Sequence, residues 1–227
     1  MLNVLPRYFE AFLRLLYPGI CAVCQALLGL EENGLCLSCL ENVKKFRLSP
    51  SEEWIRISMQ YGNEGWALFR YEGIVQELLH KIKFDRRRDL LCLFSEEITS
   101  FFRRRMDVNY DFAVSIPLDF KRQIERQFNQ SDLITKMLPA HYRRRKFLTR
   151  RRSALPQSLL GKQDRKLNIG KVFVFSRRIS LRKKSILLVD DIFTTGSTLE
   201  EAARVLKEAG ASRVGYFVLA RTPEKGS

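Results

Sequence analysis

Two adjacent carboxylates, Asp190 and Asp191, follow four apolar residues at 186–189 and precede a loop of small hydroxyl residues. The apolar run is typical of a strand that is buried on both faces of a parallel sheet. Apolar residues then recur at helical spacing, and Thr198 with Glu201 predicts a capping box at the start of that helix. A strand, a loop and a helix N-terminus in this order place several backbone N–H groups around one concavity, which suits a phosphate.

The pair of aspartates narrows the kind of ligand. Because carboxylates repel phosphate, the segment predicts a ligand with a phosphate at one end and hydroxyls or a metal at the other, as in ribose 5-phosphate. We expect Asp190 and Asp191 to accept hydrogen bonds from the 2- and 3-hydroxyls or to hold Mg²⁺ through water. The predicted phosphate contacts are the amides and hydroxyls of Thr194, Thr195, Gly196, Ser197 and Thr198. The alternative is a buried strand that ends in an acidic turn and binds nothing.

Four of the five cysteines form two C-x-x-C pairs near the start of the chain: Cys21, Cys24, Cys36 and Cys39. Two such pairs supply four thiolates for a tetrahedral Zn²⁺, and a site with four cysteine ligands stabilises the fold rather than catalysing a reaction. Disulfides or redox-active thiols are the alternatives, and a cytosolic location disfavours disulfides. The fifth cysteine, Cys92, stands among leucines and is predicted to be a buried apolar residue.

The chain is strongly basic, with 40 Lys and Arg against 25 Asp and Glu and a formal net charge of +15. The excess is clustered in arginine-rich runs, and arginine favours bidentate contacts with phosphate. Single-stranded nucleic acid is the partner that this pattern predicts, with Tyr142 and Phe147 stacking on bases. The candidate contacts are Arg143, Arg144, Arg145, Arg150, Arg151 and Arg152. A solvated basic face is the alternative.

Strand and helix patterns alternate along the remainder of the chain. Strands are predicted at 66–71, 112–117, 172–175 and 214–219, helices at 72–84, 90–102 and 133–138, and a polar loop at 119–130. This order predicts an α/β fold with a mostly parallel sheet flanked by helices. We expect an N-terminal helix and zinc module over 1–45, a connector with the first strand over 46–70, and the α/β domain over 71–227.

The N-terminal stretch 2–16 is amphipathic and lacks the uninterrupted apolar core of a signal peptide. It predicts a helix that packs on its own domain, or alternatively one that lies on a membrane surface. No apolar run reaches the length of a membrane span. We therefore expect no stable membrane insertion and a cytoplasmic location.

The segment VDDIFTTGST at 189–198 resembles the phosphoribosyl-pyrophosphate (PRPP) binding motif of type I phosphoribosyltransferases. With the cysteine quartet before it, the chain resembles the ComF (ComFC) family of competence proteins over nearly its whole length. Three further segments carry this likeness: YEGIVQELLHKIKFD at 71–85, IPLDFKRQIERQFNQSDLI at 116–134, and RRRSALPQSLLGKQDRKLNIGKVFVF at 150–175. One departure is Gln127, which stands where the family has a glycine and should strain a turn of positive φ.

The resemblance implies a type I phosphoribosyltransferase-like fold that binds PRPP with Mg²⁺. It assigns the pyrophosphate to Lys121, Arg122 and Arg126, any catalytic role to Asp190 and Asp191, and a closing lid to 150–170. A basic surface loop is the alternative for that last segment. Two functions follow from the resemblance. The first is a PRPP-binding protein that handles incoming single-stranded DNA in the cytoplasm during DNA uptake, together with other competence proteins. The second is an active transferase of nucleotide metabolism with a small-molecule acceptor.

Overall fold

The computed structural model describes residues 19–55, 60–105, 107–151, 172–176 and 180–223. The predicted helix at 2–16 and most of the predicted lid lie outside these ranges. Seven strands are described: β1 Glu64–Arg70, β2 Phe112–Ser115, β3 Arg143–Arg144, β4 Leu148–Arg150, β5 Phe173–Phe175, β6 Ser185–Phe193 and β7 Arg213–Arg221. Five of them form a wholly parallel sheet in the order β1-β7-β6-β2-β3, while β4 and β5 form a separate antiparallel pair.

Helices cover both faces of this sheet. They are α1 Leu37–Lys45, α2 Gly73–Phe84, α3 Ser95–Arg104, α4 Phe120–Arg126, α5 Gln130–Met137 and α6 Ser197–Glu208, with a 3₁₀ helix at Arg88–Phe94. Among the described residues, no helix is both long and apolar enough to cross a membrane. The α/β architecture with a mostly parallel sheet is as predicted.

The central strand β6 explains why its sequence is apolar without alternation. Leu187 and Val189 pack into one core with α2, α3 and α5, whereas Ile186 and Leu188 pack into a second core with α6 on the opposite face. All four side chains are fully buried because the sheet is covered on both sides.

Four local predictions need correction. The helix expected over 90–102 is a 3₁₀ helix followed by α3, and the expected polar loop at 119–130 contains α4 and the first residue of α5. The strand at 172–175 pairs with β4 rather than joining the central sheet. Cys92 is exposed, because the 3₁₀ period of three buries Leu91 and Phe94 and turns Cys92 outward.

Candidate functional site

The two aspartates lie at the carboxyl end of β6, which extends through both of them to Phe193. Strand pairing continues along this segment, with Asp190 opposite Val218 and Ile192 opposite Ala220 of β7. In a parallel sheet flanked by helices, the carboxyl ends of the strands form the usual edge for ligand binding. The carboxylates therefore sit on a rigid strand rather than on a mobile loop.

Asp190 is held from two directions. Its Oδ1 accepts hydrogen bonds from the Ser131 hydroxyl at 2.7 Å and from the backbone N–H of Asp191 at 2.9 Å. Burial raises the pKa of Asp190 to about 7, and the adjacent charge of Asp191 adds to this rise, while the Ser131 hydrogen bond opposes it. A cation near Asp190 would favour its ionised form and so counteract this rise.

Asp191 forms a buried ion pair with a lysine from α2. Lys83 Nζ lies 2.9 Å from Asp191 Oδ2, and the two side chains are only 15% and 10% exposed. Sequence reasoning did not assign Lys83 to the site. The signal in the sequence was the lysine–aromatic end, Lys83-Phe84, of the family-like segment 71–85. It did not give the partner of Lys83, because the contact depends on how α2 packs against the sheet.

Arg126 is a second cation on this side of the aspartates. Burial lowers the pKa of its guanidinium, and the negative charge of Asp191 acts in the opposite direction. The guanidinium carbon lies 5.4 Å from the centre of the Phe84 ring, which itself remains 61% exposed. A ligand that reaches Asp191 from this side would meet two positive groups and an exposed aromatic ring.

Lys121 and Arg122, the other two predicted pyrophosphate contacts, form ion pairs within α4 and with its N-cap. Lys121 lies 3.8 Å from Glu125, and Arg122 lies 3.3 Å from Asp119. Asp119 also caps the helix, since its side chain accepts the Arg122 backbone N–H at 2.8 Å. Arg126, the third basic residue assigned to pyrophosphate, lies close enough to Asp191 for that charge to act on the pKa of its guanidinium.

The loop after β6 turns sharply at Gly196, which has a φ of 76° and is the N-cap of α6. The predicted capping box is wrong, because the helix begins at Ser197 with Gly196 as its N-cap, so Thr198 is already inside the helix. Glu201 instead holds Arg204 at 2.7 Å. The first turn of α6 directs its backbone N–H groups toward the end of the loop, where they have no partner within the helix. The Ser197 N–H among them also reaches the Thr195 hydroxyl at 3.5 Å. Four hydroxyl residues of this loop are exposed: Thr194, Thr195, Ser197 and Thr198.

Gln127 adopts a left-handed backbone conformation. Its φ is 64° and its ψ is −3°, at the C-terminal end of α4. Two residues later, Asn129 caps α5 by accepting the Ser131 N–H at 3.0 Å and donates to the Ile116 carbonyl at 2.8 Å. The turn at Gln127 therefore leads directly into the residues that aim Ser131 at Asp190.

We expect Gln127→Gly to raise the free energy of unfolding by about 0.5–1 kcal/mol, because glycine adopts positive φ without steric cost. Chemical denaturation of both proteins measures the difference. Gln127→Ala is the matched control, since it removes the same side chain but keeps the strained Cβ. A gain that is equal in the two variants would contradict a backbone origin.

Several of the arginines predicted to bind nucleic acid, at 143–152, contact other groups of the protein instead. The Arg144 guanidinium donates to the carbonyls of Thr135 and Leu138 at 3.1 and 3.0 Å, where it closes the end of α5. Arg145 donates to the Arg144 carbonyl, and Arg150 lies over the Phe173 ring. Arg143 and Arg151 are exposed, while Arg152 lies outside the described residues.

The predicted stacking aromatics are not available to a ligand. Tyr142 and Phe147 are only 2% and 0% exposed, so the prediction that they stack on bases is wrong. Both are large rings whose burial contributes to the two cores.

The four cysteines meet in one cluster. All four Sγ atoms lie within 4.8 Å of one another, and those of Cys24 and Cys36 are 3.6 Å apart. A tetrahedral zinc with Zn–S bonds of about 2.3 Å requires sulfur separations of roughly 3.8 Å, so this cluster fits the ion. Cys21 and Cys39 are buried and belong to the same core as α2 and the 3₁₀ helix. The module is thus packed onto the α/β domain.

Comparison with known proteins gives one family match and one weak structural likeness. The phosphoribosyl transferase domain family matches residues 115–227, which include α4, β6 and α6. The structural match to a purine phosphoribosyltransferase from Pyrococcus horikoshii Ot3 covers 58% of this chain and 82% of that protein, at 14% sequence identity and a TM-score of 0.35. That structural likeness is too weak to add to the family match.

The curated relatives carry two names, DNA utilization protein and competence protein. The DNA utilization protein YhgH of Salmonella typhimurium is 30% identical over 226 residues, covering 90% of this chain and 98% of the relative. The protein of the same name from Escherichia coli K12 is 27% identical over 224 residues with the same coverage. Competence protein ComFC of Bacillus subtilis is 30% identical over 159 residues, or 69% of this chain and 63% of the relative.

Proposed function

Because this chain belongs to the ComF/ComFC family and carries its phosphoribosyl transferase domain, we propose that it binds PRPP with Mg²⁺ and acts in the cytoplasm on incoming single-stranded DNA. The observation that carries PRPP binding is the buried aspartate pair at the end of β6, beside the glycine turn and open first turn of α6. Phosphate and ribose hydroxyls are the groups that this combination recognises.

Each part of PRPP has a matching set of residues. The 5-phosphate binds the amides and hydroxyls from Thr194 to Thr198, while Asp190 and Asp191 accept the ribose hydroxyls. Carboxylate oxygens are the hard ligands that Mg²⁺ prefers, so the pair also fits the metal that accompanies PRPP. Lys83 and Arg126 supply positive charge on the side of Asp191 where the pyrophosphate would lie.

The DNA role rests on the relatives, whose names refer to DNA utilization and competence. The net charge of +15 supports a polyanionic partner, because a small nucleotide alone does not require it. Other proteins of DNA uptake are the expected macromolecular partners. Zinc is the structural metal of the cysteine cluster, whose geometry it fits.

Transfer of the phosphoribosyl group is the second candidate function, and the cations beside Asp191 favour it. In that reaction the bond between C1 of the ribose and the pyrophosphate oxygen breaks, and pyrophosphate leaves with the electron pair. An acceptor nitrogen then forms the new bond to C1 with its lone pair and releases its proton to solvent. Lys83 and Arg126 would stabilise the leaving charge, and positioning would supply much of the acceleration.

Pyrophosphate release measures turnover directly. We expect PRPP to bind without turnover when no acceptor is supplied. Release that appears with a nucleobase, with or without single-stranded DNA, would identify a transferase. Release that requires DNA would link the two activities. A protein that neither binds PRPP nor releases pyrophosphate under any of these conditions would refute the ligand assignment.

A further inference from the structure

A second concave surface lies at the edge of the sheet opposite Asp190 and Asp191. It has a volume of about 870 Å³ and is lined by the residues that precede or begin β2, β3 and β6, together with the end of α3. These strands are parallel, so their amino ends meet here and their carboxyl ends meet at the proposed PRPP site. Ser185 in this groove is five residues from Asp190, a separation of about 16 Å along the strand.

The groove is rich in arginine and its acidic groups are already neutralised. Arg103, Arg105 and Arg143 all line it. Asp111, on the same wall, lies 3.1 Å from Lys184 Nζ and accepts the Ser185 N–H at 2.8 Å. Those contacts lower the pKa of the Asp111 carboxyl and keep it ionised and occupied.

Two of these arginines are free to bind an anion. Arg105 is engaged by Asp107 at 2.9 Å. Arg103 and Arg143 are exposed, and neither forms an ion pair with any residue that the structure describes. Asn109 and the exposed His141 add hydrogen-bonding groups to the same surface. The open part of the groove therefore carries positive charge that no acidic group among the described residues compensates.

The walls of the groove indicate which part of a ligand is recognised. Its Phe and Tyr residues, Phe102, Tyr110 and Tyr142, are all buried, and the Tyr142 hydroxyl donates to the Val108 carbonyl. These rings cannot stack on a base, and one face of the exposed His141 ring lies against Tyr142, so recognition comes chiefly from charge and hydrogen bonds. Repeated phosphates are the ligand chemistry that suits exposed arginines without an available aromatic platform.

We propose that this groove at the amino edge of the sheet binds the phosphodiester backbone of single-stranded nucleic acid. The proposal rests on the nucleic-acid role given above and adds its location, which is separate from the PRPP site. Because bases are not stacked here, binding is independent of sequence and depends on salt. Because the two edges are separated by the sheet, nucleic acid and PRPP bind at the same time.

The test compares Arg103→Ala/Arg143→Ala with the wild type by fluorescence anisotropy of a labelled oligothymidylate at several salt concentrations. Loss of two phosphate contacts should weaken binding at low salt by about tenfold. It should also reduce the slope of log K against log salt by about 1.4, since each single-strand contact contributes about 0.7. Lys44→Ala/Arg88→Ala, which removes two exposed charges elsewhere, is the matched control and should bind like the wild type. PRPP affinity should be unchanged in all three proteins.

The results distinguish whether nucleic acid binds in this groove from whether the protein binds nucleic acid at all. Equal oligonucleotide affinity in the wild type and in Arg103→Ala/Arg143→Ala would overturn the groove and leave the nucleic-acid role standing. A wild type that binds no oligonucleotide at low salt would overturn both. A loss of PRPP affinity in the groove variant, with its fold intact by circular dichroism, would overturn the separation of the two sites.

Discussion

Replacing both site aspartates, as Asp190→Asn/Asp191→Asn, is expected to weaken binding of PRPP with Mg²⁺ by at least about 100-fold. Each carboxylate is proposed to make a charge-assisted hydrogen bond to the ribose or to hold the metal through water, and such bonds contribute about 1.5–3 kcal/mol each. Loss of two therefore removes about 3 kcal/mol or more, which corresponds to two orders of magnitude in affinity. Isothermal titration calorimetry measures the difference.

The substitution keeps the shape of the site, because asparagine can still accept the Ser131 hydroxyl at position 190. It does leave Lys83 without its ionised partner, so folding must be checked by circular dichroism. Asp89→Asn/Asp107→Asn is the matched control, since both residues pair with arginines away from β6. A double variant at 190 and 191 that binds PRPP as tightly as the wild type would rule out the assignment of these carboxylates.

Removing one zinc ligand by Cys36→Ser is expected to abolish the metal and unfold the N-terminal module. Structural zinc contributes about 10–16 kcal/mol to folding in small zinc domains, so three remaining thiolates cannot hold the module in the same state. The effect should reach the α/β domain, because Cys21 and Cys39 pack in its core. Metal analysis should fall from one zinc per chain to none, and Tm should fall with it.

Cys92→Ser provides the control, because Cys92 is exposed and lies outside the cluster. That variant should retain one zinc per chain and the wild-type Tm. Purified wild-type protein that contains no zinc and yet is fully folded would refute the metal assignment. So would a Cys36→Ser variant with unchanged metal content.

Local sequence was sufficient for the elements that carry the site. The apolar run before Asp190 predicts a doubly buried strand, and the spacing after Gly196 predicts a helix, because both patterns depend only on neighbours along the chain. The two C-x-x-C pairs predict a cluster for the same reason, since each short turn brings two thiols together. The parallel sheet followed from the alternation of strands and helices.

Contacts between distant elements were not predictable in this way. The Lys83–Asp191 pair depends on the docking of α2, and the Ser131–Asp190 hydrogen bond depends on the cap that Asn129 gives to α5. Burial also cannot be inferred from residue type alone. Tyr142 lies next to arginines in the sequence and was expected to stack on bases, but it is part of the core. Cys92 was misplaced because a 3₁₀ helix changes which residues share a face.

Binding of PRPP at the carboxyl edge of β6 can be measured by titrating the wild-type protein with PRPP in the presence of Mg²⁺. We expect saturable binding at one site per chain, which ribose 5-phosphate weakens by competition and oligothymidylate leaves unchanged. Folded, zinc-loaded protein that shows no saturable binding would rule out PRPP as the ligand of this edge.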